Sequence, residues 1–95
     1  MNNNRKVLHL FVKAKWYEMQ ERGEKTEEYR DFTQYWTDRI LFRYFTHVCF
    51  HKGYTNITFT RKIDCIATGY GRPEWGAPLN RKVIIIKHSK DETGH

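Results

Sequence analysis

Ninety-five residues leave room for a single domain and exclude a second independent core. Hydrophobic residues make up 39% of the chain and aromatic residues 16%, enough for a compact core built around large rings. The charge is unbalanced, 17 Lys+Arg against 11 Asp+Glu for a formal net +6, so anionic partners are favoured and nucleic acid heads them.

In chain order, Val7, Leu8, His9, Leu10, Phe11 and Val12 are apolar almost throughout and predict a first strand buried on both faces. Residues 13–22 are good helix formers, and Gly23 supplies a left-handed residue to stop the helix. A short strand over 26–30 follows. Asp31, with Gln34 three places on, predicts the capped start of a second helix. Phe32, Trp36 and Ile40 then fall on one core-facing stripe, while Arg39 and Arg43 project together from a neighbouring face. Strands are expected near 46–51 and 57–68, joined through Lys52, Gly53 and Tyr54. Ile57, Phe59, Ile63 and Cys65 share a parity that Arg61 interrupts, which predicts a bulge near Arg61 and Lys62. That basic pair reads either as a nucleic-acid-facing patch or as a solvated face. Residues 69–78 form a long loop punctuated by Gly and Pro, residues 82–88 the closing strand, and 89–95 a polar tail. The ordered core is therefore expected over about 5–88 of a single 1–95 domain.

The stretch that carries most chemistry is Gly23, Glu24, Lys25, Thr26, Glu27, Glu28, Tyr29 and Arg30. In an extended segment Glu28 and Arg30 share one face and Tyr29 takes the other. A carboxylate and a guanidinium held side by side suit planar hydrogen-bonding ligands. Spaced as Gly-x-Lys-x-x-Glu-x-Arg, the stretch resembles the motif of the ASCH domain family, within the PUA-like superfamily. The resemblance implies an α+β fold, a small PUA-like β-barrel of about five to six strands with two helices packed on it. It also implies that Lys25, Glu28 and Arg30 line a cleft between the first helix and the barrel. Tyr70, Arg72 and Trp75 are candidate binding residues, since aromatic faces and a guanidinium are what a splayed nucleobase stacks on. Tyr70 or Arg72 is expected at the rim of that concavity, and Trp75 reads equally as an apolar cap on one end of the barrel. Arg39 and Arg43 are candidates for phosphate contacts, and Trp36 is expected in the core.

Two functions follow from the resemblance. One is an RNA- or nucleic-acid-binding module, its ligand a polymer or a modified nucleotide or nucleoside. The other is a small hydrolase acting on modified nucleosides or RNA, amidohydrolase-like or ribonuclease-like, with Lys25 and Glu28 as acid–base pair. In the deacylase-like pattern a threonine is expected where this chain has Glu28. No cofactor is implied. His9 and His47 lie in or beside strands, and no histidine pair has metalloprotease spacing, so no metal is expected. Cys49 and Cys65 read as buried, reduced thiols of a cytoplasmic protein. The longest aliphatic run, Val83, Ile84, Ile85 and Ile86, falls far short of the roughly 20 residues of a membrane span. The amino-terminal segment lacks the small-residue cleavage site of a secretory leader, and the Asn56-Ile57-Thr58 sequon therefore carries no meaning.

Overall fold

The protein is described here by a computed structural model covering residues 4–90; most of the expected polar tail lies outside those described residues. Five strands form one mixed sheet in the order β1-β3-β4-β5-β2, where β1 is Val7–Val12, β2 Glu27–Asp31, β3 His47–Lys52, β4 Thr58–Gly69 and β5 Val83–His88. Only β1 and β3 pair in parallel; the remaining neighbours are antiparallel. Helix α1 (Ala14–Glu21) connects β1 to β2, and α2 (Gln34–Trp36) runs directly into a π-helical stretch, Thr37–Leu41.

The run Val83 to Ile86 is buried on both faces because β5 lies between β4 and β2. That is the expected fate of an unalternated aliphatic strand. β1 departs from the same expectation. Leu8, Leu10 and Val12 are buried while His9 and Phe11 are exposed, since β1 is an edge strand with one covered face. Leu8, Leu10, Val48, Phe50, Ile84 and Ile86 close the core from the sheet side, with Tyr17 of α1 and Ile40 of the π-helical stretch packed onto them. Each such side chain, fully buried, contributes about 1.5–3 kcal/mol.

Gly23 ends α1 as expected, at φ 82°, and its amide bonds back to the Gln20 carbonyl. A side chain there is excluded twice over, because a Cβ would also stand 2.7 Å from the Lys90 carbonyl oxygen. The second helix starts later than the sequence predicts. Asp31 stays in β2 and pairs with Arg81 at 3.2 Å; Thr33 is the cap, its hydroxyl accepting the Trp36 amide proton at 3.3 Å. Gln34 turns to Asp38 instead of completing a capping box. Phe32 consequently precedes the helix, misses its stripe and is exposed.

The bulge in β4 falls between Ile63 and Cys65, not at Arg61 and Lys62. Arg61 keeps the inward parity and is buried. Its guanidinium lies 4.4 Å from the Phe59 ring and donates at 3.0 Å to the Glu21 carbonyl. A cation on the last carbonyls of α1 complements the helix dipole, so Arg61 is neither a surface patch nor a solvated face. Beyond the bulge, Cys65 is exposed, whereas Cys49 is buried as expected; both are free.

The sheet is not closed into a barrel by backbone pairing: β1 and β2 are its two edges. One side chain spans them. Arg30 of β2 donates to the Phe11 carbonyl of β1 at 3.0 Å.

Candidate functional site

The gap between those two edges is a cleft of about 820 Å³, bordered by β1, α1, β2, the second helical segment and the 73–75 turn. The fold brings Lys25, Glu28 and Arg30 to it together, as expected, along with Arg39, Arg43 and Trp75. All three tryptophans of the chain, Trp16, Trp36 and Trp75, line this one space.

At the base of the cleft is an ion network. Strand alternation puts Glu28 and Arg30 on one face of β2, and Arg30 donates to the Glu28 carboxylate from that position. The other Glu28 oxygen accepts from Lys25 Nζ at 3.1 Å and from Gln20 Nε2 at 2.9 Å. Lys25 also donates to the Glu27 carbonyl, and its ammonium sits 5.0 Å from the Tyr29 ring and 5.5 Å from Trp16. Lys25 is 1% exposed and Glu28 5%. As a cleft-lining residue Lys25 would offer a mobile cation to a phosphate. It is instead fixed and buried, because the Gly23 turn directs the chain back under α1. Burial holds its ammonium below the ordinary lysine value, while the Glu28 carboxylate pulls it back up.

Behind the network lies a second layer that the motif does not announce. Gln20 passes its carbonyl oxygen to His88 Nε2 at 2.7 Å, and His88 Nδ1 lies 2.8 Å from the Ser89 carbonyl oxygen. Because the Gln20 amide nitrogen donates to Glu28, its oxygen faces the imidazole and calls for an N–H there. Burial lowers the His88 pKa from its ordinary value, with the Ser89 carbonyl acting in the opposite sense.

The walls are aromatic. Arg30 lies 5.1 Å from the Trp36 ring, and Arg39 lies 4.2 Å from the Tyr35 ring. Trp36, expected in the core, is half-buried and serves both core and cleft. Trp16 is held by a close approach: a Cβ on Gly76, where φ is 97°, would stand 3.0 Å from its ring. Only glycine combines that conformation with that clearance.

The 69–78 loop meets its expectation in part. Trp75 lines the cleft, whereas Tyr70 and Arg72 do not. Tyr70 is exposed; the Arg72 guanidinium stacks 4.7 Å over Trp75 and faces Glu74 at 3.5 Å. The Arg72 backbone amide donates to the Tyr29 hydroxyl, which donates in turn to Glu27. That chain pins the loop to β2. Among the described residues no helix is long and apolar enough to cross a membrane.

Compared with protein-family models, curated proteins and solved structures, the chain matches none.

Proposed function

We propose that this domain is an ASCH-type module that binds RNA or a modified nucleotide or nucleoside, with a base among the tryptophans and phosphate at Arg39 and Arg43. The observation that carries the reading is the gathering of every tryptophan in the chain around one polar, cation-lined cleft. A buried tryptophan needs only a core; three that border an opening offer flat faces for stacking, each worth about 1–3 kcal/mol per base. The net charge of +6 adds long-range attraction for a polyanion.

Within this reading the roles differ from those the motif alone suggests. Glu28 already accepts from three donors, against about four acceptor sites on a carboxylate, so it positions its neighbours more than it reads a base. Arg30 uses three of the five N–H groups of a guanidinium, on Glu28, Tyr29 and Phe11. Its two others are free to meet the planar edge of a base. We also read the sheet as a PUA-like barrel whose seam, between β1 and β2, is left open as the ligand entrance, and the protein as cytoplasmic.

The hydrolase reading has one observation in its favour: burial lowers the pKa of Lys25 beside a carboxylate 3.1 Å away, as a general acid–base pair requires. Release of free carboxylate from acylated cytidine, lost in Lys25→Met, would establish it.

The binding reading is tested by quenching of tryptophan fluorescence with a short RNA oligonucleotide at two salt concentrations. Two phosphate contacts give a slope of about −1.4 in log affinity against log salt, so raising salt from about 50 to about 200 mM should weaken binding roughly sevenfold. An affinity that is flat over that range removes phosphate contact as its basis.

A further inference from the structure

On the outward face of the β1–β3 pair, away from the aliphatic core, stand His9, Cys49 and His51. Strand alternation explains why they meet. Val48 and Phe50 point into the core, so Cys49 and His51 both point out, and the parallel register sets His9 directly beside Cys49. Forty residues separate the histidine of one strand from the cysteine of the other. No spacing rule applied to the sequence would join them, which is why no metal is expected from the sequence alone.

We propose that His9 Nδ1, His51 Nε2 and Cys49 Sγ form a three-ligand site for a zinc-class divalent ion. The three ligand atoms all lie within 4.8 Å of one another. His9 Nδ1 is 3.0 Å from His51 Nε2, and Cys49 Sγ is 3.8 Å from the same nitrogen. A tetrahedral zinc ion with bonds of about 2.0 Å to nitrogen and about 2.3 Å to sulfur needs N···N near roughly 3.3 Å and S···N near roughly 3.6 Å. Those two separations are met to within a few tenths of an ångström; the third, Cys49 Sγ to the His9 ring, lies within 4.8 Å, and a side-chain rotation of the exposed His9 closes it onto the ion.

The donor set narrows the ion. One thiolate and two imidazoles suit borderline-soft zinc and exclude magnesium or calcium, which take oxygen ligands. The two imidazole nitrogens at 3.0 Å cannot both carry protons towards each other, so without metal they share one. An ion takes the place of that shared proton, which moves to the other nitrogen of the same ring, and displaces the thiol proton to solvent. Three protein ligands leave the fourth position open to water or to a small ligand. His9 is exposed and also borders the cleft, so the open position is reachable from solvent at its edge. The Phe11 ring, 4.7 Å from His51, screens one side and holds that imidazole in place.

The test uses the reduced full chain titrated with Co2+ as a spectroscopic stand-in, then with Zn2+. One equivalent should bind per chain, with the intense near-ultraviolet absorption of a cobalt–thiolate bond, and Zn2+ should displace it. Cys49→Ser should abolish the absorption and Cys65→Ser should leave it intact. Because Cys49 is buried, His9→Ala provides a second variant at an exposed position that does not endanger the fold. Losing an outer-shell partner alone weakens metal binding about 10–100-fold, so losing His9 should cost at least about 100-fold. Absence of the thiolate absorption in the unaltered chain, its persistence in Cys49→Ser, its loss in Cys65→Ser, or unchanged affinity in His9→Ala would each overturn the assignment.

Discussion

Replacing Glu28 by Gln keeps the shape of the side chain and removes the anion on which the base of the cleft is organised. The carboxylate now faces Lys25, Gln20 and Arg30, and both it and Lys25 are almost wholly buried. The amide that replaces it offers one acceptor oxygen, and its NH2 group must point at a donor on one side or the other. Breaking a buried ion pair from one side costs about 3–5 kcal/mol, because the surviving charge is left uncompensated. Arg30 reaches the cleft and can recover hydration there, which places the cost at the lower end, about 3 kcal/mol. For a domain of this size that is a fall in Tm of roughly 12–24 °C. Thermal and urea unfolding followed by circular dichroism would measure it. The cause is separated from mere loss of packing by a double-mutant cycle. In Lys25→Met combined with Glu28→Gln the stranded ammonium is gone, so the double variant should be more stable than additivity predicts by more than about 1 kcal/mol. Additive losses, or a Glu28→Gln protein within about 0.5 kcal/mol of the parent, would refute the network as described.

Three further outcomes follow from named groups. Because burial lowers the His88 pKa, the unfolded chain binds a proton there before the native one does, so stability is full above the unfolded value of about 6.5 and declines as pH falls below it. The decline should be shallower in His88→Gln, and an equal slope in both proteins would exclude His88 as its source. Gly76→Ala forces a side chain into a left-handed conformation against Trp16, at a cost of about 1–3 kcal/mol by chemical denaturation, and should change the fluorescence of that indole. Arg39→Ala and Arg43→Ala, at exposed positions, should leave stability within about 0.5 kcal/mol, while each lowers the salt slope of RNA binding by about 0.7.

The parts of this molecule that the sequence foretells are those decided by neighbours in the chain. The aliphatic run of β5, the Gly23 stop and the pairing of Glu28 with Arg30 all follow from period and propensity. What escaped depends on contacts distant in sequence. Arg61 reads as an interruption of a strand until the Glu21 carbonyl, forty residues away, gives it a partner. Asp31 has the chemistry of a helix cap, but the ladder to β5 and Arg81 hold it in a strand, and Thr33 takes the role. Tyr70 and Arg72 have the chemistry of a cleft rim, yet neither lines the opening: the Arg72 amide is tied to the Tyr29 hydroxyl and its guanidinium packs on Trp75. Trp36 has the spacing of a core residue, and only the gap between the sheet edges makes it, with Trp16, a wall of an opening. Gln20 and His88 gave no local sign, being joined across 68 positions.

The most direct measurement is the response of the three indole N–H signals in a two-dimensional 15N–1H spectrum as a short RNA oligonucleotide is added. If the cleft grips a base, the signals of Trp16, Trp36 and Trp75 move together and saturate at one ligand per chain, with Arg30 among the backbone amides that follow. Three unmoved indole signals, with shifts gathered on residues outside the cleft, would contradict it.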